Sequence, residues 1–562
     1  MSIASRAGVL LLAVTVGLGA CGGTGPGGGE SRPPSPGTES LLTVVDGRFP
    51  EAFARNFNPF APAPLWPTTY GVYEPLIIYN MIRTTYEPWL ATGYDWSEGN
   101  TRLTFKLRPS VVWSDGEPFT ARDVVFTFDL LRRHPAADAK QVWTYLQEVR
   151  PVDDHTVEFR FRRPYTPGLQ PLGEQCIAPR HAFEKVDDPV GWANPDPVAT
   201  GPFTVVKSFR PGGYELTVNE RYWQRDRIRI GGLRVPFLKN NEEAIDALMA
   251  GDIDWGDIFI PDAESTFVAR DPAHHRVWNP PHGNLVLLYV NTTLPPFDRA
   301  EVRKALSAAV DRSRLVREAV NGYASVADST GLTNDTDLHW KDVSTKLPED
   351  WTAYDPARAA SRLDALGLAR GPDGVRRLPG GAPLRYTFDV VDGWTDWVQA
   401  AGIISEELKA VGVAVRVRVL PFGTWLDNVQ QGRFEMTIGW APRGPTPYTF
   451  YRSQMGNETR RAVGSPSTEN WHRFASREAD RELGRFEAVA EPNEAKAIAR
   501  RLQALYVDAA PSIPLFNRPA WGEFSLRRFT GFPSKANPYT RLSPYLAERL
   551  LVMRELRPAG AR

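Results

Sequence analysis

The sequence predicts a mixed α/β protein with more than one domain. From Leu41 onward, short runs rich in β-branched and aromatic residues alternate with turn residues. Helical patterns are interposed between these runs rather than gathered at one end, the signature of α/β domains. A chain of 562 residues, 42% hydrophobic, is long enough to bury several cores.

The N-terminus reads as an export signal. Arg6 supplies a positive charge, Ala7 to Leu18 form a weakly polar run, and Leu18-Gly19-Ala20-Cys21 follow. The run is short of the ~20 residues needed to span a bilayer and fits an h-region of ~7–15. Residues 1–20 are therefore expected to be a signal peptide. The four residues ending at Cys21 resemble a bacterial lipobox, which implies a lipidated cysteine and a membrane-anchored chain. Residues 21–40, dominated by Gly, Pro and Ser, form an expected flexible linker. The expected location is the outer leaflet of the cytoplasmic membrane, the cell surface or the periplasm.

Within the body, Leu103–Leu107, Thr156–Phe161, Tyr214–Val218, Leu285–Val290 and Val413–Leu420 are predicted strands. Ala121–Leu131, preceded by Thr120 as N-cap, is a predicted helix, as are Glu242–Ala250, Arg299–Val310 and Trp397–Val411. Gly251 and Gly412 stand where two of these helices should stop. Residues 330–380 read as loop-rich, with a tight turn at Asp373-Gly374.

Composition narrows the function. The 66 basic and 66 acidic residues cancel, which argues against nucleic acid as a partner. There are two cysteines; with Cys21 assigned to lipid, Cys176 stands alone and is expected to be buried, with no disulfide or thiolate metal site. The sequence has no G-x-S-x-G elbow, H-E-x-x-H helix or Walker-type loop, so neither an enzyme nor a cofactor is expected. His274, His275 and His282 lie close in sequence, but neighbours on an extended segment face opposite ways, so no metal site is expected. Asp252 and Asp254 read as a solvated turn.

Several stretches resemble the family 5 bacterial extracellular solute-binding proteins, which include dipeptide, oligopeptide, nickel and oligosaccharide binders. They are Tyr73-Glu74-Pro75-Leu76, the run from Leu103 to Val124 centred on Trp113-Ser114-Asp115-Gly116, Ile177-Ala178-Pro179-Arg180-His181, Ala199-Thr200-Gly201-Pro202-Phe203, Asn219-Glu220-Arg221-Tyr222-Trp223 and Ala250-Gly251-Asp252-Ile253-Asp254. Pro296-Phe297-Asp298, Val302–Leu306, Ala309–Arg312 and Pro511–Phe516 continue the series in order. The resemblance implies a two-lobed periplasmic-binding-protein clamp (type II, cluster C) with a third, inserted domain. On that basis lobe I is expected at 41–70, 198–282 and 511–562, the inserted domain at 71–197 and lobe II at 283–510. It also implies a small-molecule ligand, an ABC permease and ATPase as partners, and a monomer. A sensor that uses the same fold without transport is the alternative class, and the genes beside this one would separate the two.

Peptide binders of this family commonly carry an acidic residue after a lobe II Trp, where it neutralises the ligand's ammonium. Here Trp440-Ala441-Pro442-Arg443 has none, and a desolvated ammonium without a partner costs several kcal/mol. The Trp440, Gly-Pro-Thr-Pro and Tyr448 pattern resembles the oligosaccharide-binding branch instead. Sugars present apolar faces edged by hydroxyls, so aromatic platforms and hydrogen-bonding side chains are wanted. The expected ligand is a neutral oligosaccharide, with a peptide as the alternative. The expected platforms are Trp66, Trp394, Trp397, Trp425, Trp440, Trp471, Trp521 and Tyr448, with Asn284, Asn291, Gln399, Arg443 and Asn470 as polar partners. Trp394 and Trp397 either line the cleft or pack a helix. Trp440→Ala is expected to weaken binding while leaving unfolding of the ligand-free protein nearly unchanged.

Overall fold

The computed structural model describes residues 41–49, 54–280, 284–334, 337–342, 350–489 and 491–560. The expected signal peptide and linker, with Cys21, and His282 lie outside these residues.

Two large sheets organise the described chain. The first has seven strands in the order His275–Val277, Glu523–Ser525, Trp255–Gly256, Leu41–Val45, Gly232–Pro236, Gly213–Val218 and Phe203–Arg210. Leu41–Val45 runs parallel to both of its neighbours, and the remaining pairs are antiparallel. The second has six, in the order Ser325–Val326, Ile513–Arg518, Asn284–Val290, Met436–Trp440, Arg385–Val391 and Ala414–Leu420. Asn284–Val290 is buried along nearly its whole length, as a central strand covered on both faces must be. A separate four-stranded antiparallel sheet forms from Ala91–Ser97, Arg102–Leu107, Thr156–Phe161 and Leu146–Asp153.

The chain crosses from the first large sheet to the second between Val277 and Asn284, and returns between Arg518 and Glu523. Asn284 and Arg518 face each other in register beside these crossings. Ile513–Arg518, grouped from the sequence with lobe I, is a strand of the six-stranded sheet. Its apolar run finds its ladder partners in Asn284–Val290, and only after Arg518 does the chain rejoin the other sheet.

Local signals account for the helices. Thr120 Oγ1 accepts the Arg122 N–H at 3.3 Å and Asp123 Oδ2 accepts the Thr120 N–H at 2.9 Å, a capping box for Ala121–Arg133. Asn240 caps Asn241–Ala250 by accepting from the Glu243 N–H, and Gly251 ends it at φ +84°. The predicted loop at 330–380 contains a helix, Pro356–Ala365, capped by Asp355 accepting the Arg358 N–H at 2.8 Å. Only Ala359 and Leu363 are buried on it, too few to register as a 3.6-residue period.

The family-like motifs turn out to bond to one another. Glu74 is fully buried, and its carboxylate accepts from Trp89 Nε1 at 2.6 Å, Tyr222 Oη at 3.0 Å and Trp223 Nε1 at 3.3 Å. The stretches at 73–76 and 219–223 are thus two halves of one buried hydrogen-bond network. Gly201 packs so closely that a Cβ there would overlap the carbonyl oxygens of Gly71 and Val72. Asp254 also differs from expectation. Rather than sitting in a solvated turn, it is 1% exposed, paired with Arg528, and accepts the Thr43 N–H at 2.8 Å.

Candidate ligand-binding site

A cavity of about 310 Å³ lies between the two large sheets, at the lower end of the range of small-molecule sites. The seven-stranded side contributes Asp46, Gly47 and Arg48, just past the strand Leu41–Val45, together with Trp66, Asp257 and Phe259. The six-stranded side contributes Asn284, Val286, Trp394, Asp396, Trp397, Phe422 and Trp440. Arg518 and Trp521 enter from the crossing, and Tyr545 and Arg549 from the C-terminal segment.

Side chains at the ends of strands and helices build its wall. Trp440 ends the strand Met436–Trp440, and Trp394 and Trp397 begin the helix Thr395–Ala410. Trp394 stands edge-on to Trp397 at 4.8 Å between ring centres, and Trp440 lies 6.3 Å from Trp394 and 6.2 Å from Trp397. The Trp394 indole donates across the cavity to the Gly47 carbonyl at 3.0 Å, so the two sides meet here. Gly47, at φ +72°, has no room for a side chain because a Cβ would overlap the Asp257 carbonyl oxygen.

The floor is charged. Arg48 pairs with Asp46, and Arg518 donates to Asp257 Oδ1 at 3.2 Å while lying 5.2 Å from the centre of the Trp521 ring. Asp257 Oδ2 is buried without a hydrogen-bond partner among the described residues. Burial pushes the Asp257 carboxyl up to about 7, with Arg518 pulling the other way. Asp396 is pushed up to about 6 for the same reason. Arg549, 3% exposed, lies over the rings of Trp66 and Tyr70 and donates to the Tyr545 carbonyl at 2.9 Å. Burial, and the nearby Arg48, lower its pKa to about 9.

Of the expected ligand contacts, the cavity collects Trp66, Trp394, Trp397, Trp440, Trp521 and Asn284. It does not collect Trp471, which packs behind Trp440 at 5.2 Å and 81° and is 3% exposed. Trp425 is likewise fully buried and donates to Thr437 Oγ1 at 2.9 Å. Arg443 and Tyr448 line a second cavity instead. Arg443 pairs with the buried Asp337, and Tyr448 Oη donates to Glu487 Oε1 at 2.8 Å. Asn291 and Asn470 donate to backbone carbonyls, and Gln399 is exposed on its helix. Helical and strand spacing places these residues near Trp440 in sequence without deciding which way each side chain points.

Sequence reasoning missed Asp257, Asp396, Arg518 and Arg549. It sought a carboxylate after Trp440, whereas the structure brings three, Asp46, Asp257 and Asp396, from other elements. Asp396, two residues past Trp394, was the only one within reach of a local signal. No three or more His, Cys, Asp or Glu side chains cluster as metal ligands among the described residues. His275 stacks on Phe267 at 4.1 Å and bonds to its carbonyl oxygen, and Cys176 is buried with its thiol pushed up to about 12. Among the described residues no helix is long and apolar enough to cross a membrane.

Two α/β sheets joined by two crossings, with an aromatic cavity between them, define the class: a solute-binding protein. Residues 85–460 match the family model described as bacterial extracellular solute-binding proteins, family 5 Middle, and the chain belongs to that family. It is similar to "Probable D,D-dipeptide-binding periplasmic protein DdpA" of Escherichia coli K12, at 24% identity over 462 residues, covering 81% of this chain and 84% of that one. It is also similar to oligopeptide-binding protein OppA of Bacillus subtilis, at 21% identity, covering 90% and 93%. Among solved structures, the mannohexaose-bound periplasmic oligopeptide-binding protein of Thermotoga maritima superposes with a TM-score of 0.84 at 26% identity, covering 93% of this chain and 100% of that one. The fold is the mixed α/β, type II fold of family 5 periplasmic binding proteins. The chain is the substrate-binding component of a peptide-type ABC importer, a transport protein acting outside the cytoplasm and not an enzyme.

Proposed function

We propose that this protein captures an oligosaccharide by closing its two lobes and delivers it to an ABC permease and ATPase complex. The wall formed by Trp394, Trp397 and Trp440, with Trp66 and Trp521 also lining the cavity, carries the reading. Aromatic faces match the apolar faces of pyranose rings, and Asn284, Asp396 and Arg518 stand at the edges for hydroxyls. The mannohexaose in the similar Thermotoga structure supports the same reading. In this proposal the seven-stranded sheet belongs to lobe I, the six-stranded sheet, Ile513–Arg518 included, to lobe II, and the four-stranded sheet to the inserted domain. Closure is a population shift driven by tighter ligand binding to the closed state. The protein works as a monomer tethered by lipid at Cys21 through the 21–40 linker, which keeps the clamp near its permease. Two lipid chains give stable anchoring, at about 0.8 kcal/mol per buried methylene.

A second reading, peptide binding, is favoured by Asp257 and Asp396, two carboxylates in position to meet an ammonium group. A thermal-shift screen against di- to pentapeptides and α- and β-linked oligosaccharides separates the two. A ligand at 100 times its Kd adds about 2.7 kcal/mol of stability. Oligosaccharides that raise the unfolding midpoint support the first reading; a shift with peptides alone replaces it with the second.

A further inference from the structure

A second cavity, of about 240 Å³, lies beyond Trp440, between the loop after that residue and the segments around residues 140–145 and 165–174. Chain neighbours line the two cavities at two places. On one wall, Trp440 lines the first cavity and Pro442, two residues on, lines the second. On the other, Thr68 and Thr69 line the first cavity, and the next residue, Tyr70, donates its Oη to the carbonyl of Glu174, which lines the second.

The second cavity holds hydrogen-bonding capacity that the fold leaves unused. Tyr145 is 2% exposed, its ring stacked on Tyr165 at 4.0 Å, yet its hydroxyl has no partner among the described residues. A buried hydroxyl without a partner costs about 1–3 kcal/mol, which a ligand oxygen would recover. The Lys140 ammonium donates to the Pro171 carbonyl at 3.2 Å, and Gln170 donates to Glu174 Oε2 at 3.1 Å while Glu174 Oε1 accepts the Tyr79 N–H at 2.8 Å. The charges compensate: Arg443 faces Asp337, Arg452 faces Glu458 and Glu469, and the charge of Lys140 is met by Glu174. Mixed donors and acceptors, with each cation matched by at least one carboxylate and set among proline and tyrosine faces, suit a hydroxyl-rich unit better than a free ion.

We infer that the bound oligosaccharide continues past Trp440 into this second cavity, where Tyr145, Lys140, Gln170 and Glu174 hold a further neutral sugar unit. The inference rests on the oligosaccharide reading and adds a length requirement to it. Titration calorimetry of the full chain with mannobiose through mannohexaose, and with the matching cello-oligomers, tests it. Affinity in the wild type is expected to rise with length. Tyr145→Phe keeps the stacked ring and removes the hydroxyl; Gln170→Ala alters a half-buried site and guards against a packing defect in the first variant. Each is expected to weaken the hexamer about fivefold, the worth of one hydrogen bond, and to leave the dimer within about twofold. Equal weakening of dimer and hexamer, or of neither, would overturn the second subsite. A wild type that binds dimer and hexamer equally would also overturn it while leaving the oligosaccharide reading intact. Absence of any oligosaccharide binding would remove both.

Discussion

Trp440→Ala tests the aromatic wall most directly. The indole is half-buried and has four others around it, at 5.4 Å from Trp425, 5.2 Å from Trp471, 6.2 Å from Trp397 and 6.3 Å from Trp394. Truncating a core Trp costs about 3–5 kcal/mol, and the exposed half of this ring brings the expected loss to about 2 kcal/mol. The sequence-based expectation of nearly unchanged unfolding is therefore revised: the midpoint should fall, because Trp440 props Trp425 and Trp471 as well as facing the cavity. A loss of about 2 kcal/mol from an ordinary stability of about 5–15 still leaves the protein folded at 25 °C, so affinity can be measured separately. Loss of one aromatic contact, about 1–1.5 kcal/mol, should raise Kd about tenfold by calorimetry. Trp471→Ala is the control. That residue packs behind Trp440 without lining the cavity, so its substitution should cost about 3–5 kcal/mol of stability with Kd changed less than about threefold. A Kd for Trp440→Ala within twofold of wild type, or equal effects of the two substitutions on affinity, would refute the assignment of Trp440 to the ligand wall.

Substitutions at three further residues probe the frame that holds the site. Burial pushes Glu74 up to about 7, although three hydrogen bonds from Trp89, Tyr222 and Trp223 oppose the shift. Its folded form thus keeps a proton that the unfolded chain has lost above about pH 4.3, and its contribution makes stability fall as pH rises from about 4.3 to 7. In Glu74→Gln that part of the slope should vanish, seen as a smaller difference between urea midpoints at pH 5 and pH 8; parallel curves would contradict the buried-acid account. Thr120→Ala removes the side-chain half of the capping box of Ala121–Arg133 and should cost about 1 kcal/mol in urea unfolding, whereas Thr120→Ser should cost much less. Gly201→Ala would drive a methyl into the Gly71 and Val72 carbonyl oxygens, with an expected loss of about 1–3 kcal/mol and no direct effect on affinity. A Gly201→Ala variant as stable as wild type would mean that this backbone approach is not required.

Where a signal is local, the sequence carries it. Thr120 before an amphipathic run, Gly251 and Gly412 after one, and the apolar run from Leu285 to Val290 each decide a conformation within a few residues, so those elements were legible. Pro356–Ala365 was not, because its two buried residues make no clear period even though Asp355-Pro356 marks its start. The same division holds at the site. Aromatic composition and the family-like motifs pointed to Trp66, Trp394, Trp397, Trp440 and Trp521, all of which line the cavity, but spacing along the chain could not tell Trp440 from Trp471, which faces inward behind it. Nor could it show that Arg443 is turned away to Asp337.

The sequence by itself determined the class of fold, the family and the aromatic character of the site, because helix caps, strand patterns and motif order are properties of neighbouring residues. Only the tertiary structure decided which charges share the cavity. Asp46, Asp257, Asp396, Arg518 and Arg549 are separated by up to 503 positions in the numbering and meet through the pairing of distant strands and the two crossings between the sheets. Carboxylates thus reach the cavity from strand and helix ends that no local pattern connects.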